Sequence, residues 1–184
     1  VYGYSRAWRM DGTWERAHAA LRGECRLAAG APPTPETLRV DSRTVKTTHR
    51  GGPRGYDAGK KIPGRKRFAA VDSLGLVWEL LVTTADAQDR DAGRWLLQAV
   101  RGRLPRVREV YADAGFSRRF VEWVRRACGW RLVTTRNAPG GFRVHPKRWV
   151  VERTFAWIVM YRRLGKDHEF MTESSEAAID AAMT

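Results

Sequence analysis

Apolar positions in the first thirty residues recur at helix-like intervals (Trp8, Trp14, His18, Leu21) until Gly30 and the run Ala-Pro-Pro-Thr-Pro stop the pattern. This predicts a helical segment over 1–30 and a linker over 31–36. The run Leu-Arg-Val-Asp-Ser-Arg-Thr-Val then reads as a strand over about 37–45, carrying Asp41. Residues 46–65 hold five Gly and two Pro and read as a loop. Arg67-Phe-Ala-Ala-Val-Asp and the apolar run 76–84 flank Ser-Leu-Gly, which is a hairpin signal. Residues 89–101 form an amphipathic helix with Trp95, Leu96 and Val100 inward and Asp89 near its cap. A strand over 107–113, a helix over 117–128 and a strand over 130–135 follow, then a Gly-rich connection over 136–145. Pro146 opens a long helix to about Leu164, with Val151, Phe155 and Ile158 as its apolar stripe, flanked by Val150, Trp157 and Tyr161.

The order strand, hairpin, helix, strand, helix, strand, helix predicts an α/β fold with a mixed sheet flanked by helices. In such a sheet the first strand and the strand after the first crossover helix can be neighbours. Their C-terminal ends then bring Asp41 and Asp113 together, and the last helix brings Glu152 to the same edge. No internal repeat or low-complexity tract interrupts this organisation.

Composition narrows the function. The chain has 184 residues, 43% apolar content and eight Trp, which suits one folded domain with a sizeable core. Its net charge of +14 favours anionic partners, nucleic acid first. No apolar run approaches the roughly 18 residues needed to span a membrane, and no secretory pattern opens the chain. Cys25 and Cys128 form neither a disulfide framework nor a zinc pattern and read as two reduced cytosolic thiols.

Three carboxylates beside a basic surface suit metal-dependent phosphodiester chemistry. Mg²⁺ and Mn²⁺ are hard ions that prefer carboxylate oxygens, and three carboxylates can hold two such ions. Singly, Asp41, Asp113 and Glu152 have ordinary structural explanations as a strand end, a turn and a first-turn acid favoured by the helix dipole. Their common topological position singles them out. Asp72 precedes a hairpin turn, Asp89 reads as a cap, and Asp86 and Asp91 read as solvated, so all four rank lower. His18, His49, His145 and His168 are scattered and read as exposed.

The strongest basic feature runs from Arg43 to Arg67. It supplies Arg43, Lys46, Lys60, Lys61, Arg65, Lys66 and Arg67 as candidate DNA contacts, with Asp57 its single acid. Lys147, Arg148 and Arg153, at the start of the last helix, complete the set. Arg148 and Glu152 are four apart, a spacing that allows pairing. Gly55 to Lys61 imitates a P-loop, but the glycine spacing is one residue short and Lys61 stands where Ser or Thr is required. Trp149 and Trp157 read as packing residues, with base stacking open to Trp149.

Asp41-Ser-Arg-Thr-Val-Lys-Thr-Thr, the run from Gly51 to Lys61, Gly64-Arg-Lys-Arg, Val71-Asp-Ser-Leu-Gly-Leu, the run from Ala85 to Ala92, Tyr111-Ala-Asp-Ala-Gly-Phe and Arg148-Trp-Val-Val-Glu-Arg-Thr-Phe-Ala-Trp occur in this order. Together these blocks resemble the catalytic region of IS5-type bacterial insertion-sequence transposases, from about Trp8 to the end. The resemblance implies an RNase H-like fold and a DDE site in which Asp41, Asp113 and Glu152 are catalytic and hold Mg²⁺ or Mn²⁺. Arg148 matches the arginine that precedes the family's glutamate. The implied partners are double-stranded DNA, as inverted-repeat ends and as target, and further copies of the chain in a homo-oligomer in the bacterial cytoplasm. Residues 37–184 are the expected catalytic domain, trimmed at both ends relative to such proteins. His145 stands where relatives often have Tyr, and Val159-Met160 where a basic residue often follows the glutamate. The competing readings are a non-catalytic DNA-binding derivative and a nuclease of the same fold that cuts without joining.

Overall fold

The computed structural model describes residues 2–49, 52–113, 118–135 and 149–184. Two helices, α1 (Tyr2–Met10) and α2 (Thr13–Ala28), lead into β1 (Thr37–Lys46), β2 (Gly55–Asp57), β3 (Ile62–Val71) and β4 (Val77–Thr84). Next come α3 (Asp89–Arg101), β5 (Glu109–Asp113), α4 (Arg118–Trp123) with a π-helical turn over Val124–Cys128, and β6 (Arg131–Thr135). α5 (Trp149–Met160), a 3-10 turn over Arg162–Leu164 and α6 (Thr172–Met183) complete the described chain.

All six strands form one mixed sheet in the order β2-β3-β1-β5-β6, with β4 also paired to β3. β1, β3 and β4 run antiparallel in series, and β5 and β6 extend the sheet parallel to β1. The parallel pairing of β1 with β5 is the neighbour relation expected from the element order.

Two apolar layers sandwich the sheet. One joins Leu38 and Val40 of β1 and Val110 and Ala112 of β5 to Leu96, Leu97 and Val100 of α3 and Phe120 of α4. The other joins Ala69 and Val71 of β3 and Leu80 and Val82 of β4 to Val150, Val151, Phe155 and Ile158 of α5 and Ile179 of α6. Burial of Phe155 and Ile158, at 3% and 0% exposed, contributes roughly 1.5–3 kcal/mol each. The stripe expected on α5 is therefore its core face. Among the described residues, no helix is long and apolar enough to cross a membrane.

Several expectations need correction. The N-terminal helical segment is two helices, because Asp11 and Gly12 break it. Gly12 adopts φ +74°, and Asp11 Oδ1 accepts hydrogen bonds from Thr13 N at 2.9 Å and Thr13 Oγ1 at 2.6 Å. The stretch 46–65 is not a loop throughout, since it contains β2 and the start of β3. Gly64 lets the start of β3 lie this close to β1, since a Cβ there would lie 1.9 Å from Val45 O. Asp89 does not cap α3; Gln88 occupies the cap position with no side-chain bond. Trp95 faces outward, 58% exposed. His18 is buried rather than exposed, with Nδ1 3.1 Å from Asp180 Oδ1. The sequence pattern predicts no element beyond Leu164, and α6 lies there.

Candidate active site and nucleic-acid surface

Strand alternation sorts the candidate carboxylates. Leu38 and Val40 enter the α3 layer, so Arg39, Asp41 and Arg43 project to the opposite face, the one that α5 covers. On β5, Val110 and Ala112 enter the α3 layer, which turns Tyr111 and Asp113 to the α5 face as well. The guanidinium of Arg39 lies 5.6 Å from the Tyr111 ring centre, so the two strands present neighbouring side chains on this face.

Register brings the two strands side by side just before the aspartates. Thr37, Leu38 and Arg39 pair with Glu109, Val110 and Tyr111, and Asp41 and Asp113 each follow two residues beyond the last pair. The pairing ends at Arg39 and Tyr111, at the C-terminal side of two parallel strands, where open α/β sheets receive ligands. Both aspartates are half-buried, and Asp41 Oδ1 accepts a hydrogen bond from Ser42 N at 2.8 Å. Glu152 lies in the first turn of α5, exposed, on a helix that packs against β1 and β3.

These donors are all oxygens, as a hard divalent ion requires. The aspartate pair fits such an ion by the chemistry of its donors. Among the described residues, no three of His, Cys, Asp and Glu stand close enough to hold one. Glu152 is thus on the expected helix, and the structure does not bring it into a three-carboxylate cluster. A cavity of about 380 Å³ lies between α2, β4 and α6, and none of the three carboxylates lines it.

The basic run divides. Arg43 and Lys46 of β1 are exposed, as are Lys60 and Lys61 on the turn between β2 and β3. Arg65 and Arg67 are not surface contacts, at 0% and 1% exposed. Arg65 donates to Pro53 O at 2.8 Å, to Glu169 O at 2.9 Å and to Phe170 O at 2.6 Å, and pairs with Asp167 at 3.1 Å. Arg67 donates to Leu164 O at 2.6 Å, and burial foremost pulls its guanidinium down from the ordinary value. Lys66 turns to the other face and pairs with Asp89 at 3.2 Å, 8% exposed. Three residues expected to contact DNA are thereby engaged inside the fold. Strand alternation and the segment after Leu164 take them there.

Arg153 is half-buried between Trp149 and Trp157, 4.6 Å from each ring centre, and donates to Leu74 O at 2.9 Å. Lys147, Arg148 and His145 lie outside the described residues. Asp72 has the structural role expected of it. It is fully buried, accepts from Leu74 N at 2.9 Å, Leu76 N at 3.1 Å and Trp78 Nε1 at 3.0 Å, and pairs with Arg26 of α2. The sequence does not single out Asp167 or Glu176. Their signal is an acid near a helix that no motif distinguishes from a solvated one.

The family described as a transposase DDE domain matches residues 32–179. A putative transposase of insertion sequence element IS402 from Burkholderia cepacia is 34% identical over 113 residues, covering 55% of this chain and 52% of that protein. The chain therefore spans about half the length of that curated relative. The catalytic core domain of BIV integrase superposes with a TM-score of 0.50 at 15% identity, covering 78% of this chain and 80% of the integrase chain. A chain of the simian T-cell lymphotropic virus intasome, solved in complex with the PP2A regulatory subunit B56 gamma, gives a TM-score of 0.50 at 16% identity, covering 79% of this chain and 48% of its own. At such identities these two establish the fold, an α/β RNase H-like sheet flanked by helices. With a family match across most of its length, the chain belongs to the DDE transposase-domain family.

Proposed function

We propose that this chain is the catalytic part of an insertion-sequence transposase, cutting phosphodiester bonds at the element's inverted-repeat ends and joining them to target DNA. The observation that carries the reading is the parallel pairing of Thr37–Arg39 with Glu109–Tyr111, beyond whose C-terminal end Asp41 and Asp113 lie on the sheet face opposite α3, with Glu152 on the helix that packs against β1.

Mg²⁺ or Mn²⁺, when bound, supplies Lewis acidity and a low-pKa water for in-line displacement at phosphorus. Asp41 and Asp113 would hold it from the sheet, and Glu152 would join them from α5. Rigid strands fix the two aspartates relative to each other, while packing of Val151 and Phe155 fixes the helix. Arg43, Lys46, Lys60 and Lys61 receive the DNA backbone, a contact that carries affinity without reading sequence. Two ions, a homo-oligomer holding two DNA ends, and a nucleoid location belong to the same reading.

The test is cleavage of end-labelled DNA carrying the neighbouring inverted repeat, with Mg²⁺ or Mn²⁺, for the parent, Asp41→Asn and Glu152→Gln. The parent cuts at the repeat end. Both variants fall below detection and keep salt-sensitive binding. A variant that cuts as well as the parent removes that residue from the site, and binding without cutting by any form turns the reading into a non-catalytic DNA-binding protein.

A further inference from the structure

The turn between β3 and β4 lies against α5 at the two residues that follow Glu152. Arg153 Nη2 donates to Leu74 O at 2.9 Å, and the fully buried Thr154 hydroxyl lies 2.8 Å from Gly75 O. The same hydroxyl is 3.1 Å from Val150 O, its own helix's carbonyl, so the turn carbonyl is the nearer of two acceptors for its single proton.

The turn is rigid. Asp72 N donates to Leu76 O at 3.1 Å and Gly75 N to Asp72 O at 3.2 Å, while the Asp72 carboxylate holds Leu74 N and Leu76 N from within. Asp72 is also paired with Arg26, so α2 is tied to the same turn. Gly75 sits at φ +89°, and a Cβ there would lie 3.1 Å from Arg153 Nη2, 3.1 Å from Thr154 Oγ1 and 3.3 Å from the Trp157 ring. A side chain there would be strained at this φ and would press on the Arg153 and Thr154 side chains that reach the turn. The stack of Trp149, Arg153 and Trp157 holds the guanidinium in the orientation that reaches Leu74 O.

Apolar packing of Val151, Phe155 and Ile158 seats α5 on the sheet but is non-directional. Two directional hydrogen bonds to a rigid turn add a defined axial reference to that packing, and they act next to the glutamate. We propose that the turn 72–76 is a latch that sets the axial position of α5 on the sheet, with Thr154, Arg153 and Gly75 as positioning residues for Glu152. The proposal rests on the reading of Glu152 as a metal ligand. None of the three touches the reacting atoms; they act through the helix backbone.

The test reads metal binding directly. Mn²⁺ titration followed by the resonance signal of the free ion is run on the parent, Glu152→Gln, Thr154→Val, Thr154→Ser and Gly75→Ala, with thermal melts to confirm folding. The parent binds Mn²⁺ more tightly than Glu152→Gln. Thr154→Val and Gly75→Ala bind roughly 10-fold more weakly than the parent, the scale of loss for residues that orient a ligand, and Thr154→Ser stays near the parent because it keeps the hydroxyl. Folded Thr154→Val and Gly75→Ala with the parent's affinity overturn the latch and leave the metal site standing. Equal affinity of parent and Glu152→Gln overturns the metal reading itself, and the latch with it. Should Thr154→Val fail to fold, Arg153→Lys, which keeps the charge and loses the fork that reaches Leu74 O, carries the same comparison.

Discussion

Lys60 and Lys61 stand at the tip of the β2–β3 turn in water, while Arg65 and Arg67, a few residues on, are sealed inside the protein. In sequence the two pairs are indistinguishable members of one basic run. They part because Arg65 and Arg67 occupy alternate positions of a strand whose one face is covered by the segment from Leu164 to Met171. That segment offers carbonyl groups, and a guanidinium with five donors is the side chain that can satisfy several at once. The tip lysines have no such cover. A charge run therefore says that cations are present, and topology decides which are for a partner and which are for the fold.

The largest test of this division falls on the buried side. Asp167 is 2% exposed, pairs with Arg65 at 3.1 Å and accepts from Ser175 Oγ at 2.7 Å and Glu169 N at 3.0 Å. Asp167→Ala leaves a buried guanidinium without its counter-charge, which costs about 3–5 kcal/mol. Chemical denaturation checks this. A loss below about 1 kcal/mol would mean that the carbonyl groups alone hold Arg65, and that the pair is incidental.

A half-buried carboxyl held by a backbone N–H rather than by an arginine behaves in the opposite sense with pH. Glu176 Oε1 accepts from Val82 N at 2.7 Å on the outer edge of β4. Burial, with Glu173, Asp180 and Glu79 nearby, raises its carboxyl to about 7. The folded state therefore keeps this proton where the unfolded chain has released it. Its stabilising contribution is complete below about pH 4.5 and is lost as pH rises through 7. Burial also raises Glu79, which adds to the same slope. Melting temperature should fall between about pH 5 and 8, with Glu176 accounting for on the order of 2–3 kcal/mol, and Glu176→Gln should flatten most of that fall. An equally steep slope in the variant would assign the effect to Glu79.

Much of this fold is legible in the sequence because its elements carry their own periodicity. α3 begins and ends where its pattern does, and β1 and β4 fall within a residue of their apolar runs. The facing of Asp41 and Asp113 follows from alternation once β1 and β5 are neighbours, and element order proposes that neighbour relation. Long-range polar contacts are not legible in this way. Nothing in Ser-Leu-Gly announces that its carbonyls meet Thr154 and Arg153, and nothing near Lys166 or His168 marks Asp167 as the partner of Arg65, far earlier in the chain. Periodicity reports which face a residue occupies, and such pairs depend on where two faces come to rest.

The smallest expected effect on stability belongs to the tip. Lys60 and Lys61 are exposed, and Lys60 contributes to the fold through its backbone, whose N–H donates to Asp57 Oδ1 at 3.0 Å. Lys60→Ala with Lys61→Ala keeps that bond and should change unfolding free energy by less than about 0.5 kcal/mol. Its effect appears instead in DNA binding, where the plot of log affinity against log salt should flatten by about 0.9 for each phosphate that the lysines no longer neutralise. The division predicts this crossing of effects: the buried Arg65–Asp167 pair moves stability, and the tip moves the salt slope alone. A double variant with the parent's slope would leave the tip as solvated charge and route the DNA along the exposed Arg43 and Lys46 of β1, on the strand that bears Asp41.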